Sequence, residues 1–125
     1  MLNGEVLEAL FRHYAGDDEG QAFIEECILS FETYHNAVFR EQLFRRVYGG
    51  ATDPDHFRDE LTERDRNRTV HHNAVIANVA ILNRLAGQAG LDPVYDGVVS
   101  EERPYRRQVA DAVFAWVEAV INERN

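Results

Sequence analysis

The chain has 125 residues and a formal net charge of -9, carried by 22 acids against 13 bases. All of those bases are arginines, because the sequence contains no lysine. So acidic a chain repels phosphate backbones, which argues against direct nucleic-acid binding. One cysteine, Cys27, rules out an internal disulfide. It sits in the apolar run Phe23 to Phe31, as a small buried hydrophobe does.

The N-terminal residues carry acids and no basic stretch, unlike a secretory leader. No apolar run approaches the ~18 residues of a membrane span. A cytoplasmic protein is therefore the expectation, built as one domain over residues 1–125.

From Asn3 to Tyr14, Val6, Leu7, Leu10, Phe11 and Tyr14 recur at three- and four-residue spacing, the stripe of an amphipathic helix. Ala15 to Gly20 interrupts it, and Asp17 or Asp18 can cap the next helix. That second helix is expected from about Glu19 to Tyr48. Ile24, Cys27, Ile28, Phe31, Val38, Phe39, Leu43 and Val47 supply its apolar positions. Ser30 to Asn36 is poor in strong helix formers and predicts a kink or break, and Gly49-Gly50 predicts the end.

Asp53-Pro54 opens a third helix, with Asp as cap and Pro at the first helical position. Nothing stops it before Gly87, so it is long enough to protrude or to pair with a second copy. Its first half is polar; Val75, Ile76, Val79, Ile81, Leu82 and Leu85 make the second half apolar. Gly87 to Ser100 reads as a loop. A last helix begins near Arg103-Pro104 and buries Val109, Val113, Trp116, Val117, Val120 and Ile121. The expected fold is all-α: an antiparallel bundle of about four helices with a long third helix. The aromatics Phe31, Tyr34, Phe39, Phe44, Phe114 and Trp116 are expected in its core. The large apolar content and the long helix also predict a homodimer.

At 100° per residue, Leu61, Asp65, Arg68, His72, Ile76, Val79 and Asn83 fall within about 80° of arc on the third helix. An acid, a planar cation and an imidazole in one row can bind an anion or move a proton. Two plainer readings stand beside this. Glu60 with Arg64, Glu63 with Arg66 and Asp65 with Arg68 are spaced as ordinary surface pairs. Alternatively, the row is a buried network tying helices together, completed by an acid such as Glu32 from the facing helix. His71 lies about 100° from His72, cannot share its face, and is expected in solvent.

The run Asp65-x-x-Arg68-x-x-x-His72, then Leu82-Asn83-Arg84, Tyr95-x-Gly97, Arg103 and Arg106, resembles a family of small bacterial helical proteins of the domain-of-unknown-function type. The resemblance covers roughly the C-terminal half. It implies a helical fold and no established activity, and it singles out Asp65, Arg68, His72 and Asn83.

Other chemical patterns are incomplete. Glu32-x-x-His35 has the spacing of a di-iron ligand pair but lacks a second copy. His35 is instead expected as a satisfied histidine near Phe31 and Phe39. His56-x-x-x-Glu60 lies in a charged first turn, and Glu60-x-x-Glu63 lacks the second acid pair of a magnesium site. No phosphate loop, nucleophile elbow or zinc cysteine pair is present, so neither a metal nor another cofactor is expected.

Three functions are compatible with these residues. The leading one is a small acidic binding protein that engages a protein partner or a small anionic ligand. The second is an enzyme using His72 as general acid or base with Asp65 and Arg68; a pocket at His72 would favour it. The third is an acidic inhibitor or immunity-type protein that mimics nucleic acid.

Overall fold

A computed structural model of the chain describes residues 1–49, 54–100 and 102–124. The predicted cap Asp53 and the stop Gly50 lie outside the described residues. Four helices succeed one another along the chain: α1 Gly4–His13, α2 Asp18–Tyr48, α3 Pro54–Gln88 and α4 Arg103–Arg124. Of the described residues 82% are helical, in an all-α bundle with the long third helix that the hydrophobic spacing anticipates.

Caps set the first two starts. The Asn3 side chain accepts hydrogen bonds from the amides of Glu5 and Val6 at 3.1 and 3.3 Å. Asp17 accepts from the Gly20 amide at 3.0 Å. Both satisfy amide groups that the first helical turn leaves without partners. α3 ends at Gln88, one residue past the expected stop at Gly87. Gly90 adopts φ 73°, the Leu91 amide donates to the Ala86 carbonyl, and Gly90 to that of Gly87. That pair of bonds is a Schellman cap, in which a glycine takes the left-handed position.

The break expected at Ser30 to Asn36 is absent; α2 is continuous there. Two hydroxyls of that stretch bond back to the helix, Ser30 to the Cys27 carbonyl and Thr33 to that of Leu29. Tertiary packing of Phe31, Tyr34 and His35 outweighs the weak local propensity.

α2 and α3 lie antiparallel. Asn78 donates to Ser30 at 2.7 Å, and Phe57 stacks on Phe44 with ring centroids 5.3 Å apart. The polar first half of α3 therefore does not protrude alone but runs beside the end of α2. α4 closes the other end, with Phe31 edge-on to Trp116 and His35 stacked on Phe114. Leu10, Ile24, Phe31, Val75, Val79, Leu82, Val109 and Val113 are fully enclosed. Cys27 is free and buried, as its apolar run implies, and burial pushes its thiol up to about 11.

Several burial expectations fail. Phe39, Leu43 and Val47 are exposed on α2, and Ile121 is exposed on α4. Trp116 and Val120 are half-buried. In the distal half of α2 the buried positions are Ala37, Glu41 and Phe44 instead. The loop after α3 is held by Asn83, whose side chain accepts from the Tyr95 amide at 3.0 Å and donates to the Tyr95 carbonyl. Tyr95 makes an isolated bridge with Leu2. No helix among the described residues is long and apolar enough to cross a membrane.

Candidate functional site

The row on α3 meets a buried acid from α2. Arg68 donates from Nε to Glu41 Oε2 and from Nη2 to Asp65 Oδ1, both at 2.6 Å. Arg45, one turn beyond Glu41, donates to the other Glu41 oxygen at 3.1 Å. Glu41 is only 6% exposed and therefore needs both cations. The facing acid is thus Glu41 and not Glu32, which makes no ion pair among the described residues. Helical spacing does mark Glu41, although its charge alone gives no reason to place it inside. Phe31, Tyr34, Val38, Glu41 and Arg45 succeed one another at three- and four-residue steps, so the acid lies on the buried stripe.

Burial alone would lower the pKa of Arg68. The hydrogen bonds and charges of Asp65 and Glu41 outweigh that, and the guanidinium is held above its usual value. Arg68 is a fixed charge bridging two helices. The surface pairs Glu60–Arg64 and Glu63–Arg66 also form, at 3.9 and 3.2 Å.

Beside this bridge lies a cleft of about 580 Å³ between α2, α3 and the start of α4. Tyr34, Glu41, Arg68 and His72 line it from one side, and Arg103, Arg106, Arg107 and Asp111 from the other. Asp65 does not line the cleft but braces Arg68. Asn83 is not brought there either, since its amide clamps Tyr95. His71 does not line the cleft and is half-buried rather than in solvent.

The His72 ring meets that of Tyr34 edge-on, with centroids 5.7 Å apart. Burial lowers the His72 pKa, a hydrogen bond to Asn73 raises it, and the charges of Arg106 and Arg68 lower it further, with Asp111 opposing. The net shift is downward, so the imidazole is neutral at pH 7. Burial likewise pushes the Tyr34 phenol up, against the pull of Arg68.

Arg103, Arg106 and Arg107 crowd the start of α4, whose first turn has no acid. Cations there oppose the helix dipole, whose positive end favours anions. Arg107 pairs loosely with Asp111 at 4.0 Å. Arg106 donates to Asn73 Oδ1. Its Nε is buried and has no hydrogen-bond partner among the described residues. Neither Arg103 nor Arg106 has a carboxylate partner among the described residues. The cleft thus combines a neutral imidazole with two cations that have no carboxylate partner among the described residues.

The other patterns do not assemble. Among the described residues, no three His, Cys, Asp or Glu side chains converge as a metal site would require. His35 stacks on Phe114 with its Nδ1 unpartnered, not satisfied near Phe39. Glu60 and Glu63 border a shallower groove on the far side of α3, with Arg40, Arg64 and Val70.

Compared with protein-family models, with curated proteins and with solved structures, the chain finds no match.

Proposed function

We propose that the chain is a small binding protein whose cleft takes a small anionic ligand. The observation that carries this is Arg106: a cation in the cleft wall whose buried Nε has no partner and which has no carboxylate among the described residues, with the positive end of α4 behind it. An uncompensated charge so placed costs folding stability, and an anion bound there removes the cost. Arg103 adds a second donor fork and Asn73 a polar neighbour. The basic lining of this one concavity, in a chain of net charge -9, supports ligand capture over mimicry of nucleic acid. A free, buried Cys27 fits a reducing, cytoplasmic setting. The reading includes self-association as a homodimer, supported by large apolar side chains that the single chain leaves exposed.

Calorimetry with inorganic phosphate, malonate and benzoate at low ionic strength tests the cleft. At least one should bind, and Arg106→Met should weaken it by about tenfold or more. No binding by any of the three at millimolar concentration would refute the reading.

The neutral His72 in the cleft favours a second reading, in which it acts as general base on an anion held by Arg106. Asp65 is not its orienting partner in that case, because Asp65 holds Arg68. Under this reading His72→Gln keeps binding and abolishes turnover. Under the first it lowers affinity only modestly.

A further inference from the structure

The apolar residues of α2 lie on two opposite faces. Ile24, Cys27, Phe31, Tyr34, Ala37 and Phe44 are buried against the rest of the bundle. Leu29, Phe39, Leu43 and Val47 are 60, 54, 47 and 59% exposed. At 100° per residue these four fall within about 80° of arc, and the middle of that arc is diametrically opposite the buried side. A lone exposed leucine needs no explanation, but a stripe of four large side chains along one helix marks an interaction surface.

The charges in and beside this arc, Glu25 and Glu32 lying within it, are segregated along the helix. From residue 18 to residue 32 the ionised side chains are Asp18, Glu19, Glu25, Glu26 and Glu32, with no arginine. From residue 40 to residue 48 they are Arg40, Arg45 and Arg46, together with the buried Glu41. One end of α2 is an acidic rod and the other a basic one. The surface complementary to such a rod is the same rod reversed.

We infer that the outward face of α2 is the interface of an antiparallel homodimer, with the two-fold axis passing near Asn36. Leu29 and Leu43 stand seven residues before and after Asn36. Reversal about that residue therefore brings Leu43 of each copy level with Leu29 of the other. It also brings Arg40 level with Glu32, both of which lie in or beside the seam. The exposed Asn36 meets its own copy at the axis, where paired amides can fix the register, as a polar residue does in a coiled-coil seam. A parallel pairing would instead set acids against acids over the first half of the helix. The inference does not depend on the anion reading, because the cleft lies on another side of α2.

Sedimentation equilibrium of the full chain, with cysteine crosslinking, is the test. The wild type should run at twice 14.3 kDa. Leu43→Glu, a surface change that leaves the core intact, should raise the dimer dissociation constant by about 100-fold with helical circular dichroism unchanged. Arg40→Glu should weaken the dimer, and adding Glu32→Arg should restore it. Under mild oxidation Asn36→Cys should crosslink to its own copy, and Leu29→Cys should not. A monomeric wild type, a dimer indifferent to Leu43→Glu, or crosslinking through Leu29→Cys alone would each overturn the inference.

Discussion

Replacing Arg68 by Met keeps the length of the side chain and removes its charge. Glu41 then loses its 2.6 Å partner while remaining almost fully enclosed. Breaking a buried pair by deleting one member typically costs roughly 3–5 kcal/mol. Two features lower that figure here. Arg45 still holds the second Glu41 oxygen at 3.1 Å, and the Arg68 side chain is itself 31% exposed. The expected loss is about 2–3 kcal/mol, or roughly 10 °C in melting temperature for a chain of this size. Adding Glu41→Gln removes the stranded charge, so the double variant should recover about 1–2 kcal/mol relative to additivity. Asp65 should behave differently. Its side chain is half-exposed at 51%, so its coupling to Arg68 should stay below about 1 kcal/mol in spite of an equally short contact. Both cycles are read by urea unfolding monitored by circular dichroism. An Arg68–Glu41 coupling below about 0.5 kcal/mol, or an Arg68–Asp65 coupling as large, would refute the assignment of Glu41 as the buried partner.

His72 should titrate below 6.5 in an NMR experiment, because its folded pKa is depressed. Unfolding then takes up a proton as pH falls below 6.5, so stability present above that pH is lost beneath it, and His72→Gln should flatten this acid limb. Saturating the cleft with an anion should move the His72 midpoint upward, since the charges of Arg106 and Arg68 are then offset; a fixed midpoint would count against ligand contact there. His35→Phe should leave stability within about 1 kcal/mol of wild type or raise it, because it removes an unpartnered Nδ1 and keeps the stack on Phe114. A loss above about 2 kcal/mol would mean that the imidazole makes a bond essential to the core. Trp116→Ala should cost about 3 kcal/mol, the low end for a large aromatic, because the ring is only half-buried against Phe31.

The start of α2 was legible because it depends on local chemistry: Asp17 caps it by reaching the Gly20 amide three residues away, whereas the equivalent role of Asn3 in α1 was not read. The stop of α3 was legible to within one residue, although the glycine that turns left-handed to cap it is Gly90 and not Gly87. The buried face of α2 was harder to read. Apolar size favoured Phe39, Leu43 and Val47, whereas the helix buries Ala37 and Glu41 beside Phe44. Periodicity cannot choose between two apolar faces of one helix; the position of α3 decides, and that is long-range information. The same ambiguity leaves the outer stripe of α2 free to meet another copy.

The polar site divides along the same line. Asp65, Arg68 and His72 share a face because three- and four-residue steps dictate it, and that much needs no tertiary structure. Which of them meets the cleft does need it. Arg68 is bound to Glu41 across a separation of 27 residues, a distance in sequence that no helical period spans. The arginines of α4 hold the most local signal of all. A first turn containing Arg103 and Arg106 and no acid, with Arg107 directly after it, runs against the preference of its own dipole. Glu102 stands just before the helix but makes no ion pair among the described residues, and Asp111 pairs only loosely with Arg107, at 4.0 Å. Burying the Arg106 Nε there without a partner adds a second unfavourable term with the same remedy. Two independent costs that one negatively charged group would remove are better physical grounds for an anion than the shape of the cleft.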